Sequence, residues 1–229
     1  MAITLFSGLA LKGVLEDEIL PPFIERTGIP IARIYEPTKI LFDLVRKGQQ
    51  PDVVIGVTSG VNEMANEGYV QPGTIRGLVR SDVGVAVAPD TPTMPISTEA
   101  EFVDLVRSAA SIAYSSTGAS GGVFQRVAVD LGLTEFIAAK AVVLEKGFTA
   151  EAVRDGRAEV AIQQISELAA IPDTKIIGSL PASLHAYVEL SIALGAYAHA
   201  PVQARELTNY LTNDARRHAF ENNHLKQVV

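Results

Sequence analysis

The sequence repeats one local pattern, in which a short apolar strand is followed by a polar loop and then by a helix. The strongest copy spans residues 111–125, where an apolar strand over 111–114 precedes a loop of hydroxyl residues and glycines and a helical run that starts at Val123. Weaker copies begin at 3–6, 30–35 and 52–57. Strands that alternate with helices in this way predict mainly parallel sheets with helices packed on their faces. The predicted fold class is therefore α/β, with doubly wound sheets.

The loops of this pattern lie where a strand ends and a helix begins, which is a common position for anion binding. Free backbone N–H groups and the positive end of the helix dipole attract anions there. In the strongest copy, Ser115, Ser116, Thr117 and Ser120 add hydroxyl donors. The same residues also fit an ordinary loop in which Thr117 or Ser120 caps the helix. The repetition of the arrangement along the chain favours the functional interpretation.

Composition argues against several classes of protein. Of the 229 residues, 48% are hydrophobic and 20% are charged, and no apolar run approaches the roughly 18 residues of a membrane-spanning helix, so membrane insertion is not expected. The net charge is -7 and the chain has no block of Lys and Arg, which argues against nucleic acid as a partner. Cysteine is absent and the histidines lack the spacing of metal ligands, so no metal site is expected. The sequence also has no nucleotide-binding fingerprint, and no other cofactor is expected.

Local signals place several further elements. Pro21 and Pro22 are predicted to interrupt the helix that follows the first strand, and Thr98 is predicted to cap a helix over 99–109. Gln163 and Gln164 are predicted to follow a strand over 159–162. Further strands are predicted over 84–88, 140–144, 175–180 and 187–194, and further helices over 149–155, 201–211 and 214–221.

Several segments together resemble one known family. They read TLFSGLALKGVL, KILFDLVRKGQQPDVVI, IAYSSTGASGGV and EVAIQQISEL. In this order and spacing they are similar to type II periplasmic binding proteins, in the molybdate-binding-protein-like branch of the ABC-transporter solute receptors. The resemblance covers nearly the whole chain. It implies two α/β lobes, 1–80 with 190–229 and 81–189, joined by crossing segments near 78–84 and 185–190, and a ligand cleft that closes by a hinge motion.

The resemblance also implies which residues bind the ligand. Two positions differ from the molybdate receptors, because Ala10 replaces a usual serine and Gln164 replaces a usual tyrosine. Lys12 and Lys39 supply positive charges, and Gln163 and Gln164 supply side-chain amides. These groups suit a carboxylate ligand, which needs donors at several separated points. The lysines fit equally well as solvated residues of first helical turns, and the glutamines as partners of loop backbone. The predicted ligand-binding residues are Ser7, Gly8, Lys12, Thr38, Lys39, Ser116, Thr117, Ser120, Gln163 and Gln164.

Two functions remain open from the sequence. The first is the binding of a small anion, an organic carboxylate above all, by a solute-binding protein that would work with an ABC permease if it is exported. The second is a cofactor-independent isomerase of a polycarboxylate, because aconitate isomerase is similar to the same branch. Lys39, Glu167 and His185 are its candidate proton carriers, and no catalytic residue is assigned. The expected location is the periplasm if a leader has been removed, and the cytoplasm otherwise.

Overall fold

The structure is a computed structural model that describes residues 2–92 and 94–228. Strands and helices alternate along most of the chain, as the repeated sequence pattern predicts, and no helix of the described part is long and apolar enough to cross a membrane. The strands are β1 (Ile3–Ser7), β2 (Ile31–Tyr35), β3 (Val53–Val57), β4 (Arg76–Val87), β5 (Ile112–Ser115), β6 (Ala141–Leu144), β7 (Val160–Gln164), β8 (Lys175–Ser179), β9 (Tyr187–Leu194) and β10 (Leu225–Gln227). The helices are α1 (Lys12–Val14), α2 (Leu20–Thr27), α3 (Thr38–Arg46), α4 (Thr58–Asn66), α5 (Glu99–Ser108), α6 (Ala119–Asp130), α7 (Thr134–Ala138), α8 (Ala150–Arg154), α9 (Ile165–Ala169), α10 (Pro201–Leu211) and α11 (Arg217–Asn222). Short 3-10 turns cover Leu9–Leu11, Pro72–Thr74, Ala182–Leu184 and Asp214–Arg216.

The chain forms two compact units. Unit 1 contains the residues up to Arg80 and those from Glu189 onward, and unit 2 contains Ser81–Val188. Strands β4 and β9 each contain residues of both units, so the chain passes from one unit to the other within these two strands.

Unit 1 is built on the parallel strands β2, β1 and β3, and β9 pairs antiparallel with β3. Ser7 at the end of β1 lies opposite Tyr35 of β2 and Ile55 of β3, so the polar loops that follow these strands start at one edge of the sheet. Apolar side chains of α3 and α4 cover one face. The buried cluster on that face consists of Phe6, Leu41, Phe42, Val45, Val54, Val61, Met64, Val70 and Ala193.

A buried aspartate ties the C-terminal part of the chain to this sheet. The Asp52 carboxylate accepts a hydrogen bond from the backbone N–H of Thr4 at 2.8 Å and another from that of Ala200 at 2.9 Å. Thr4 belongs to β1 and Ala200 immediately precedes α10. Both carboxylate oxygens therefore satisfy donors that would otherwise be buried without partners.

Unit 2 contains a mixed sheet. β5 lies between β6 and β7 and is parallel to both, while β4 lies between β7 and β8 and is antiparallel to both. Its buried cluster is rich in alanine, so helices approach the strands closely. The cluster consists of Ala86, Ala113, Ala150, Ala152, Val153, Ala158, Ala161, Leu168 and Ile171.

The prediction that Pro21 and Pro22 interrupt the first helix is wrong. A π-helical turn over Leu15–Ile19 joins α1 to α2, and the prolines occupy the first turn of α2. A proline lacks the N–H group that an α-helix bonds four residues back, and a widened turn before it lets the helical path continue. The helix therefore runs on to Thr27, where Gly28 ends it in a left-handed conformation with a φ of 67°.

Two other local predictions have different outcomes. Thr98 caps α5, and its side chain and that of Glu101 form the reciprocal hydrogen bonds of a capping box, so this prediction is confirmed. Gln163 and Gln164 were expected to follow a strand, but they are its last two residues, in β7. Hydrogen bonds to β4 extend the strand, since Val83 and Gly84 pair with these glutamines.

Candidate functional site

The first group of predicted residues lies in unit 1, where β1 and α3 meet. Ser7 is buried, and its Oγ donates to the neighbouring carbonyl oxygen of Gly8 over 3.2 Å. The backbone N–H of Gly8 donates to Ile55 O at 3.1 Å, which fixes the start of the loop to β3. A Cβ atom at Gly8 would lie 3.5 Å from Thr38 Oγ1, so the structure brings Gly8 and Thr38 together.

Thr38 is the first residue of α3, and the packing of its side chain follows from a glycine in β3. A Cβ atom at Gly56 would lie 2.9 Å from Thr38 Cγ2 and 2.8 Å from Phe42 Cζ. The missing side chain of Gly56 therefore lets α3 lie directly on β3, with the Thr38 methyl group toward the strand and the hydroxyl near Gly8. This places a hydroxyl at the positive end of a helix of 9 residues.

The two predicted lysines of unit 1 are exposed. Lys12 starts α1 and Lys39 is the second residue of α3. Neither ammonium group forms an ion pair with another residue of the described ranges, 2–92 and 94–228. Both cations are thus accessible to a ligand and equally accessible to water.

Tyr35 was not predicted as a site residue, although it lies opposite Ser7 at the end of β2. Its hydroxyl is buried and has no hydrogen-bond partner in the described part of the chain. Burial, followed by the nearby Glu16 carboxylate, raises the pKa of the phenol above its usual range. The register of β1 and β2 could have indicated this position, but its burial depends on packing that the sequence does not reveal.

The second group of predicted residues lies in unit 2, in the loop between β5 and α6. Ser115 Oγ accepts a hydrogen bond from the Gly118 N–H at 2.9 Å, which folds the loop back on the strand end. Ser116 donates from its backbone N–H to Leu144 O at 2.9 Å, and Thr117 Oγ1 donates to Glu145 O. These bonds attach the loop to the end of β6, so the Thr117 hydroxyl is already engaged within the unit.

Ser120 differs from the other hydroxyl residues of this loop. It belongs to the first turn of α6, a helix of 12 residues, and it is only 1% exposed. Its Oγ has no hydrogen-bond partner among the described residues. Because buried polar groups are nearly always paired, this hydroxyl is the strongest single indication of a bound polar ligand.

A glycine explains why α6 starts so close to the strand. A Cβ atom at Gly121 would lie 1.7 Å from Ser115 O, far inside van der Waals contact. Only glycine permits this approach, which presses the first turn of α6 against the end of β5 and buries Ser120.

The two glutamines of β7 have different partners. Gln163 Oε1 accepts from the Thr149 N–H at 2.7 Å and from Thr149 Oγ1 at 3.0 Å, and Gln163 Nε2 donates to Gly147 O at 3.2 Å. Gln164 Nε2 donates to Glu167 Oε2 at 3.2 Å, while Gln164 Oε1 is buried without a partner in the described part of the chain. Gln163 therefore holds a loop of its own unit, whereas one end of the Gln164 amide is unused.

The three candidate proton carriers also differ in their surroundings. Glu167 is 6% exposed, and burial raises the pKa of its carboxyl to about 7, while hydrogen bonding from Gln164 acts in the opposite direction. The His185 side chain is exposed, and its backbone carbonyl oxygen accepts from Arg126 Nη2 at 3.2 Å. Lys39 lies in unit 1, and His185 and Glu167 lie in unit 2. Glu167 is the one of the three that is buried, and a carboxyl with a pKa of about 7 can both accept and donate a proton near neutral pH.

Known proteins resemble this chain over its full length. Aconitate isomerase from Pseudomonas sp is 27% identical over 232 residues, which cover 99% of this chain and 88% of that protein. The periplasmic molybdate-binding protein of Azotobacter vinelandii has a similar fold, with a TM-score of 0.82 at 15% identity and coverage of 99% of both chains. PEB3 with bound L-phospholactate, a protein known from Campylobacter jejuni, gives a TM-score of 0.72 at 15% identity over 99% of this chain and 100% of that one.

These structural similarities confirm the predicted periplasmic-binding-protein-like fold. The family model of the bacterial extracellular solute-binding proteins matches residues 3–226. Since this match includes nearly every residue of both units, the chain belongs to the bacterial extracellular solute-binding protein family.

Proposed function

We propose that this solute-binding protein binds a small organic anion that carries carboxylate groups. The observation that carries the proposal is the Ser120 hydroxyl, which is buried at the start of α6 without a partner among the described residues. A hydroxyl at a helix N-terminus donates to oxyanions, and the helix dipole favours their charge. The proposed ligand-binding residues are those predicted from the sequence: Ser7, Gly8, Lys12, Thr38, Lys39, Ser116, Thr117, Ser120, Gln163 and Gln164.

The local geometry ranks these residues. Ser120 and Gln164 have unused polar atoms, and Thr38 presents its hydroxyl near Gly8, so these residues have the most direct support. Thr117 and Gln163 already have partners within unit 2, so we propose that they act mainly by shaping the loops. Exposed Lys39 would then supply a positive charge for the anion, as expected in a chain with a net charge of -7.

Carboxylate is proposed over a purely inorganic oxyanion for two reasons. Gln164 stands where the molybdate receptors use a tyrosine, and amides and ammonium groups at separated points suit a carboxylate ligand. In addition, one similar protein is an aconitate isomerase, and another, PEB3, has a structure with bound L-phospholactate. Aconitate and L-phospholactate are both organic anions. The proposal includes export to the periplasm and delivery of the ligand to an ABC permease, as is usual for this family.

A second candidate function is the isomerisation of a polycarboxylate without a cofactor. Glu167 favours it, because a buried carboxyl with a pKa of about 7 can both accept and return a proton at neutral pH. In such a reaction a base removes a proton from a carbon next to a carboxylate, and the proton returns to another carbon of the same molecule. The similarity to aconitate isomerase supports this alternative at 27% identity.

One experiment tests both functions. The purified protein is titrated calorimetrically with succinate, citrate, cis-aconitate, trans-aconitate, molybdate and sulfate, and each ligand that binds is then incubated in D₂O and followed by proton NMR. We expect a carboxylate to bind and Ser120→Ala to weaken it, with loss of a charge-assisted hydrogen bond worth roughly 1.5–3 kcal/mol. A ligand that stays unchanged supports the receptor, whereas isomer formation or exchange of a carbon-bound proton supports the enzyme. Preference for molybdate or sulfate over every carboxylate would contradict the proposal.

A further inference from the structure

The side-chain amide of Gln164 has one fixed end and one unused end. Nε2 donates to Glu167 Oε2 at 3.2 Å. An ionised carboxylate can only accept hydrogen bonds, so it selects the amide orientation in which Nε2 faces Glu167 and Oε1 points away. Glu167 thereby determines which atom of Gln164 remains for another partner.

That remaining atom is an acceptor in need of a donor. Gln164 is 4% exposed, and its Oε1 has no partner among the residues that the structure describes. A buried carbonyl oxygen left unpaired is costly. The neighbouring Gln163 shows the usual situation, because its Oε1 accepts two hydrogen bonds from Thr149.

Ser120 supplies a complementary group at the same edge of the sheet. β5 and β7 are parallel neighbours, so the loop that leads from β5 to Ser120 and the end of β7 at Gln164 lie at the same side of unit 2. A serine hydroxyl can donate to an anionic oxygen, whereas the Gln164 carbonyl can only accept. The pair is suited to a ligand that has both an anionic oxygen and a hydrogen-bond donor.

We propose, on the basis of the proposed anion-binding function, that Gln164 Oε1 accepts a hydrogen bond from a hydroxyl group or a protonated oxygen of the bound anion, and that Glu167 is the positioning residue that orients the amide. The protein then prefers hydroxy acids and hydrogen-bearing oxyanions to anions of the same shape that have only acceptors. Gln164 is the specificity-determining residue of the site in this proposal.

The test uses matched pairs of anions that differ in one donor. The pairs are malate with succinate, citrate with tricarballylate, and hydrogen phosphate with sulfate, and binding is measured by calorimetry at pH 8.5. At this pH Glu167 is a carboxylate, since its pKa is about 7. We expect the member with the donor to bind about three- to tenfold more tightly in at least one pair, the range for one net hydrogen bond.

Two variants distinguish positioning from a purely structural role. Gln164→Leu removes the acceptor, and Glu167→Gln replaces the carboxylate with an amide that can pair with Gln164 in either orientation. Both are expected to bring the ratio of dissociation constants within the preferred pair toward one, whereas a merely structural role would weaken both members equally. Glu135→Gln, the same substitution at an exposed position of α7, is the control and should keep the wild-type ratio.

The outcomes separate the two proposals. If anions bind but the members without a donor bind as tightly in every pair, or if both variants keep the wild-type ratio, the role of Gln164 Oε1 is overturned and the anion-binding function stands. If none of these anions binds, nor any in the wider carboxylate panel, the proposed function itself is overturned and this inference with it.

Discussion

Gln164 Nε2 donates a hydrogen bond to Glu167 Oε2 over 3.2 Å, and both residues are buried at the junction of β7 and α9. The Glu167 carboxyl is therefore shielded from water, and its side-chain partner is a neutral amide and not a cation. Burial consequently outweighs the hydrogen bonds and raises the pKa of Glu167 to about 7. This single contact connects the stability of unit 2 to pH and to the proposed ligand site.

The first prediction concerns the pH dependence of stability. The folded pKa of Glu167, about 7, lies above the ordinary glutamate value of 4.5, so between these values the folded state binds more protons than the unfolded state. The contribution of Glu167 to the free energy of unfolding therefore decreases by about 3 kcal/mol in total as pH rises from about 4.5 to about 7. Urea unfolding of the wild type and of Glu167→Gln across this range measures the effect as a difference between two curves.

The difference curve isolates Glu167 from every other titrating group. Glu167→Gln should be increasingly more stable than the wild type as pH rises through this range, while the exposed control Glu135→Gln should run parallel to the wild type. Parallel curves for the wild type and Glu167→Gln would show that burial does not raise the pKa of the Glu167 carboxyl.

The second prediction concerns the close contact of α6 with β5. Gly121→Ala places a methyl group 1.7 Å from Ser115 O before relaxation, and the obstacle is backbone that cannot rotate away. We expect a loss of about 3 kcal/mol or more in the free energy of unfolding, at the upper end of overpacking effects. Anion binding should weaken as well, because the first turn of α6 carries Ser120.

Gly122→Ala is the matched control for this prediction. Nothing lies within 4 Å of a Cβ atom at Gly122, which is the next residue of the same helix. Alanine is favoured over glycine in a helix interior, so this variant should gain about 0.5–1 kcal/mol. Equal effects of the two substitutions would contradict the close contact.

The third prediction concerns the charge of Lys39. Because this side chain is exposed and forms no ion pair with the described residues, Lys39→Met should leave the melting temperature nearly unchanged. If the ammonium group contacts the anion, binding should weaken by roughly 1–3 kcal/mol. Lys47→Met, which removes an exposed lysine that follows the other end of α3, should have little effect on affinity. Unchanged affinity in Lys39→Met would remove Lys39 from the proposed site.

The fourth prediction concerns the attachment of the C-terminal helices to unit 1. Asp52→Asn keeps one acceptor oxygen but places an NH₂ group against either the Thr4 or the Ala200 N–H. One buried donor is then unsatisfied, which should cost about 1–3 kcal/mol in urea unfolding. The exposed substitution Asp17→Asn is the control and should change stability by less than about 0.5 kcal/mol.

Much of the secondary structure was readable from the sequence because its signals are local. The capping box of Thr98 and Glu101 needs residues only three positions apart, and the strand over Tyr187–Leu194 and the helix over Pro201–Leu211 agree with their predicted bounds. The order of strands, polar loops and helices also predicted the α/β fold class. Apolar periodicity and turn chemistry act over a few neighbouring residues, so they are present in the sequence itself.

The roles of the polar side chains were decided only by the tertiary structure. Ser116, Thr117 and Ser120 look equivalent in the sequence, yet the first two bond to carbonyl oxygens 28 residues away, while Ser120 is left buried without a partner in the described part of the chain. The adjacent Gln163 and Gln164 likewise have different partners, because one meets Thr149 and the other meets Glu167. The sequence determined which loops carry hydroxyls and amides, whereas packing between distant segments determined which of these groups remained for a ligand, since a hydrogen-bond partner is a matter of position in space and not of distance along the chain.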